Sequence, residues 1–219
     1  MIAADDLNGL LENAGALHGH YCSHLVYGVK AGHYALKTLD SGNIGMEEVI
    51  TIIETNNCFS DGIQMVTGCT FGNNALIYRD YGKTAATVTK RDGKGIRLVL
   101  KPSFQESRKE VYPEAMEMFD KLVVERQEGT PGDYEKMNRL WSDMAFKELS
   151  VPIEEMFKIE NIKVDLPEFA PIFESVTCET CGESVMKTRI VDAAGRNLCI
   201  PCANAGYMEL NGIGIDSKK

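Results

Sequence analysis

Residues 17–33 read LHGHYCSHLVYGVKAGH, and the fold turns on how this stretch is divided. All four histidines of the chain, His18, His20, His24 and His33, fall inside it together with Cys22. Upstream, Leu7, Leu10, Leu11, Ala14 and Leu17 recur at helical spacing behind Asp5 or Asp6, either of which can cap a helix. Downstream, Leu25, Val29, Gly32, Leu36 and Leu39 make one stripe of a second helix, and Gly42 suits its C-terminal end. Gly28 and Gly32 lie one helical turn apart, so another element can approach this helix closely. The stretch is therefore a join between two helices, with His18, His20 and Cys22 at alternate positions in it. Cys22 falls at the start of the second helix, where the helix dipole favours a thiolate.

The chain of 219 residues has room for one large or two smaller domains, and its 44% hydrophobic and 25% charged content is that of a globular protein. A formal net charge of −9 argues against nucleic acid as a partner, because phosphate binding needs excess Lys and Arg. No run approaches the length of a membrane span, and the acidic start MIAADDLNGL lacks the basic and apolar regions of a signal peptide. A cytoplasmic location is expected. In that reducing setting, paired cysteines are more often metal or redox sites than structural bridges.

Further along, EEVITIIET predicts a buried strand. The segment NNCFSDGIQMVTGCTFGNN predicts a loop, a short helix near Ser60–Val66 and a second loop. Strands come next around RDGKG, where Ile96, Leu98 and Leu100 alternate with Arg97, Val99 and Lys101. Ser103 to about Leu149 is helical and strongly charged, split at TPGDYEKM, where Thr130 can cap a helix with Pro131 in its first turn. Leu122, Met137, Leu140, Trp141 and Phe146 supply an apolar stripe there, expected in the core or at a dimer interface. One more strand is expected near Phe157–Val164, then a Pro-bearing linker.

The last module carries the most specific signal. Cys178, Cys181, Cys199 and Cys202 are spaced C-x2-C-x17-C-x2-C, which suits a closed tetrahedral zinc site. Gly182 lets the first turn close. Between the pairs, SVMKTRIVDAAGRNL reads as two strands joined by AAG, and CANAGYMEL is expected to start a helix, a treble-clef layout. A redox dithiol or a pair of disulfides are the alternatives. Charges between Cys178 and Cys202 cancel, so the module reads as structural or as a protein contact.

In the core, His18 and His20 could ligate the same ion as Cys22 or move protons near it. Cys58 and Cys69, from the later loop, bracket Asp61, Gln64 and Thr67. Thiolate with imidazole suits zinc, iron, nickel or copper. His24 and His33 read as packing residues, and Cys58 or Cys69 taken singly could equally be small buried apolar groups.

HGHYC, then G and AG in a helix, then CFSDGIQMVTGCTFGN together resemble the FmdE-like family of formylmethanofuran dehydrogenase proteins. The family's His-Gly-His-x-Cys pattern falls on His18, Gly19, His20 and Cys22, and its Cys-x-x-Asp-x-x-Gln-x-x-Thr-Gly-Cys pattern on Cys58, Asp61, Gln64, Thr67, Gly68 and Cys69. Family members commonly have Pro-Gly after the first Cys; this chain has Ser23 and His24. The resemblance implies an α+β core domain over 1–170, with N-terminal helices and a mainly antiparallel sheet, here carrying a helical insertion at about 103–150. A treble-clef zinc finger over 171–219 would come after it. A link to one-carbon chemistry and to molybdenum or tungsten enzymes is also implied.

Cys22, His20 and Asp61 are the expected catalytic groups, and Gln64, Thr67 and Cys69 the expected substrate or supporting contacts. His18, His20, Cys22 and Cys58 are the expected second metal site, taking zinc, iron or nickel, beside a structural zinc in the finger. A homodimer, an oxidoreductase subunit and a small-molecule substrate are the expected partners. The competing reading is a non-catalytic accessory subunit or interaction scaffold, with a nucleic-acid-binding regulator behind it.

Overall fold

A computed structural model describes residues 6–42 and 47–219, and in it the two expected helices meet at the histidine stretch. Helix α1 spans Leu7–His18 and α2 spans Ser23–Thr38. Asp6 caps α1, its carboxylate accepting from the Gly9 N–H at 2.9 Å. Asp5 lies outside the described residues. Leu10, Leu11 and Ala14 are buried, but Leu17, expected in the same stripe, is 60% exposed. The last inward position of that face goes instead to His18, one helical turn past Ala14. Gly19 then adopts a left-handed φ of 90° and closes the helix.

Helix α2 is buried on nearly every side, with Leu25, Val26, Tyr27, Val29, Ala31, Ala35 and Leu36 all inaccessible. It ends at Asp40, whose φ is 46°, two residues before the expected Gly42. The Ser41 N–H returns to the Leu36 carbonyl at 3.1 Å, completing a Schellman closure around the aspartate.

Helix α3, Phe59–Thr67, runs alongside α2 with the two backbones in contact. A Cβ on Gly28 would sit 2.1 Å from the Phe59 carbonyl oxygen, and one on Gly62 would sit 2.3 Å from that of Leu25. Farther along, Gly32 faces Val66. This order of contacts makes the helices parallel, with their N-termini side by side.

Five strands back this helical layer: β1 Val49–Ile53, β2 Leu76–Tyr78, β3 Ala85–Lys90, β4 Lys94–Leu100 and β5 Phe157–Lys163. Their order is β2-β1-β3-β4-β5, with only β1 and β2 parallel. β1 is buried throughout, as its apolar run predicts. The β3–β4 hairpin turns at RDG, and Ile96, Leu98 and Leu100 are buried on β4.

The charged segment between β4 and β5 is helical, as expected. It holds α4 (Pro102–Val111), α5 (Pro113–Phe119) running into a π-helical turn at Asp120–Val124, α6 (Pro131–Glu148) and the short α7 (Ile153–Met156). Thr130 caps α6 in a reciprocal box with Asp133, and Pro131 opens the helix. Met118, Leu122 and Met137 make a small apolar cluster here with Val123, Leu140 and Trp141, while Phe146 packs against the main core. Buried Lys30 of α2 donates to the carbonyls of Glu148 at 3.3 Å and Leu149 at 2.7 Å, and to that of Val151. It thereby caps α6 and ties the insertion to the central helix. Among the described residues, no helix is long and apolar enough to cross a membrane.

Pro167–Lys219 form a separate compact unit. It contains the hairpins β6–β7 (Ser175–Thr177, Ser184–Met186), β8–β9 (Ile190–Ala193, Arg196–Cys199) and β10–β11 (Tyr207–Asn211, Gly214–Lys218). The AAG turn joins β8 to β9 as expected. The helix expected from CANAGYMEL does not form. The chain makes one turn, with Ala203 N–H on the Cys199 carbonyl at 2.9 Å, and Asn204 then goes left-handed at φ 49°. From there the chain enters β10 and is turned back by Asn211-Gly212-Ile213. The two-residue loop Gly212-Ile213 is closed by the Ile213 N–H on the Asn211 side-chain oxygen at 3.0 Å, and the hairpin outweighs the short helical start.

Candidate metal centres

Two groups of side chains converge, one in each unit. In the core, one donor atom from each of His18, His20, Cys22 and Cys58 lies within 4.8 Å of every other. Sequence positions some forty residues apart meet because α2 and α3 run parallel. Cys22 is the N-cap of α2 and Cys58 the N-cap of α3, so the Gly28–Gly62 crossing sets the two sulfurs side by side. Both helix dipoles point their positive ends at the sulfurs, which favours thiolate.

The thiols share a proton unequally. Cys58 is pulled down to about 6, first by a hydrogen bond from Cys22 and then, against burial, by His18. Cys22 is pushed up by the same shared hydrogen bond and by burial, while the amides of Leu25 and His24 oppose the rise.

His18 is held by Asp61, its Nδ1 lying 2.7 Å from Oδ2. Gln64 steadies that carboxylate, Nε2 donating to Oδ1 at 3.3 Å. The opposite ring atom, His18 Nε2, is buried and receives no hydrogen bond from a nitrogen or oxygen donor; besides Asp61, the group that acts on His18 is the Cys58 sulfur. An Nδ1–H donated to Asp61 leaves a lone pair on Nε2, the form in which imidazole binds metals. A buried acceptor without a donor is costly, and a divalent ion among two imidazoles and two sulfurs removes that cost. The donor set therefore fits a soft or borderline transition ion. His20 lies in the link between α1 and α2. Its ring is 4.4 Å from that of His18, and burial and His18 both push its pKa down, keeping it neutral.

Two expected site residues are not brought to this cluster. The Thr67 hydroxyl donates to the Ile63 carbonyl at 2.8 Å and accepts from the Cys69 N–H at 3.3 Å, closing the end of α3. Cys69 is fully buried, its sulfur 3.4 Å from the Val49 carbonyl, and burial pushes its thiol up. Both serve the helix end and the β1 edge of the core. His24 and His33 also lie outside the cluster; burial and Arg108 drive His24 down to about 4.

Trp141 is expected in an apolar stripe, yet its ring lies 6.0 Å from His20 and 5.4 Å from Phe119. It thus forms part of the wall of the centre. An aromatic among the apolar positions of a charged helix carries no signal of that placement in the sequence.

In the second unit, one sulfur from each of Cys178, Cys181, Cys199 and Cys202 lies within 4.8 Å of every other. The amides of Cys181, Cys199 and Thr180 pull the Cys178 thiol down to about 6. Cys199 N–H points at the Cys178 sulfur at 3.3 Å and Cys202 N–H at that of Cys199 at 3.4 Å. Amides aimed at sulfur in this way stabilise bound thiolate.

Residues 17–158 match the family model described as "FmdE, Molybdenum formylmethanofuran dehydrogenase operon". Residues 171–205 match that of the "Prokaryotic dksA/traR C4-type zinc finger". A curated relative from Archaeoglobus fulgidus, named "Probable S-adenosyl-L-methionine-binding protein", is 41% identical over 206 residues. The match takes in 92% of this chain and 54% of the relative, so the chain spans about half the length of that protein. Among solved structures, a tungsten formylmethanofuran dehydrogenase FmdE-like protein from Syntrophus aciditrophicus superimposes with a TM-score of 0.57 at 23% identity. The match covers 93% of this chain and 95% of that one, and it supports the fold.

Proposed function

The chain belongs to the FmdE family, and from that premise we propose that it is a metal protein with a transition-ion centre in its core and a structural zinc in its finger. His18, His20, Cys22 and Cys58 would hold the core ion. The observation that carries this reading is His18, with Nδ1 tied to Asp61 and Nε2 buried with no nitrogen or oxygen donor, beside one imidazole and two sulfurs. A purely structural cluster would give that nitrogen a protein donor. When bound, a divalent ion there would polarise a ligand oxygen or activate water. Asp61 fixes the His18 tautomer, and the two helix N-termini would favour thiolate on Cys22 and Cys58 once an ion displaces the proton the sulfurs share. The finger's four sulfurs form a closed set, which suits a structural role. The family description suggests work beside a one-carbon enzyme of the molybdenum or tungsten class.

Metal analysis of purified protein tests the assignment. Wild type should carry two ions per chain, and Cys58→Ala and Cys199→Ala one each. Equal content in wild type and Cys58→Ala overturns the core site.

A second reading rests on the name of the Archaeoglobus relative, which the chain matches along most of its own length. S-adenosylmethionine would then be the small molecule held at the core centre. Calorimetric titration with it should give saturable heat that Cys58→Ala weakens. No heat from wild type removes this reading and leaves the metal site standing.

A further inference from the structure

The four core donors are not equally fixed. Cys22 and Cys58 cap helices whose backbones touch, and His18 ends α1 with its ring tied to Asp61. His20 belongs to no helix. It sits just past the left-handed Gly19, half-buried, and its ring makes no hydrogen bond among the described residues. Its ring neighbours are His18 at 4.4 Å and Trp141 at 6.0 Å. Trp141 is itself held by the insertion, against Phe119 and beside Met118, Leu122 and Met137.

We propose that His20 is the exchangeable donor of the core centre and that Trp141 is the positioning residue that keeps it in place. This deepens the metal assignment above and rests on it. With His20 swung away, the other three residues retain the ion and one position opens to a small nitrogen or oxygen donor. The helical insertion would then govern access, because it carries the ring that His20 leans on. Loss of that ring shifts the balance towards the open form and raises the apparent affinity of an outside ligand by the gain in open population.

Cobalt substitution of the full chain, with zinc retained in the finger, tests this through the visible d–d bands and their response to azide. Difference spectra against Cys58→Ala cancel any signal from the finger. Wild type should bind cobalt in a four-donor site and bind azide weakly. Trp141→Ala should bind azide about tenfold more tightly, a change within reach of one aromatic contact. Trp141→Phe should restore the wild-type response. If Trp141→Ala misfolds by circular dichroism, Trp141→Leu, which keeps apolar bulk without the ring, must show the tightening. His20→Ala should keep its cobalt and regain the wild-type spectrum with added imidazole, whereas His18→Ala should lose the metal.

Wild-type azide affinity in both folded Trp141 variants overturns the positioning role. Cobalt loss from His20→Ala equal to that from His18→Ala overturns the exchangeable donor. Absence of any core cobalt signal in wild type instead overturns the metal assignment itself. Trp141 is the chain's one tryptophan, so copper should quench its emission in wild type and still in His20→Ala, where the other three donors keep the ion, but not in His18→Ala; loss of quenching in His20→Ala overturns the exchangeable donor.

Discussion

Asp61 decides which nitrogen His18 offers. Without the carboxylate, the His18 ring is free to carry its proton on either nitrogen, and part of the population presents an N–H to the site. Supporting contacts of this kind are worth roughly 10- to 100-fold in metal affinity. Asp61→Ala should therefore weaken core zinc by about that factor, measured by competition with a chromophoric chelator. Asp61→Asn keeps an acceptor oxygen for Nδ1–H and should fall between the two. Unchanged affinity in Asp61→Ala would leave Asp61 as a surface contact only. The alternating His18, His20 and Cys22 stood out in the sequence by their spacing, and the structure brings their donor atoms together. The different surroundings of His18 and His20 were not legible, since His18 meets Asp61 and His20 lies near Trp141, neither of which is close in sequence.

At the level of elements, the parallel crossing of α2 and α3 makes the site. A methyl on Gly28 or Gly62 meets backbone atoms of the other helix, which cannot move aside as a side chain can. Gly28→Ala and Gly62→Ala should each cost about 3 kcal/mol or more of stability despite alanine's better helix propensity. They should also lose core metal, because separating the helices separates Cys22 from Cys58. Gly32→Ala is the control: its methyl meets the Val66 side chain at 3.2 Å, so propensity should offset most of the cost. Urea midpoints for the three variants would show the order, and equal midpoints would remove the crossing from the account. At the N-terminus of α6, Thr130→Ala should cost about 1 kcal/mol, the usual worth of a cap. Periodicity and capping residues made α1, α2, α3, β1 and the β3–β4 hairpin readable. The misreadings came where two local signals competed. Leu17 fits the stripe of α1, yet His18 holds the inward place at its end. CANAGYMEL begins as one helical turn, yet its second half pairs with Gly214–Lys218 around the Gly212-Ile213 loop that the Asn211 side chain closes.

On the scale of the whole molecule, the two units differ in what holds them. The core unit has an extensive apolar cluster built from α1, α2, α3 and the five-stranded sheet, with no need of a metal to close it. The finger's buried cluster is Cys178, Leu198 and Cys199, flanked by Val185, Ala193, Cys202 and Ala203. Two of its three buried members are the expected ligands, so little apolar burial remains once the ion is gone. A unit this small folds on the free energy of metal binding. A strong chelator should therefore erase the amide-exchange protection of β8 and β9. That of α2 and β1 should stay at its metal-bound level, with change in the core confined to the Gly19–Cys22 link. Hydrogen exchange read out by mass spectrometry resolves these segments. If α2 were to lose protection together with the finger, the core ion would be a determinant of the fold.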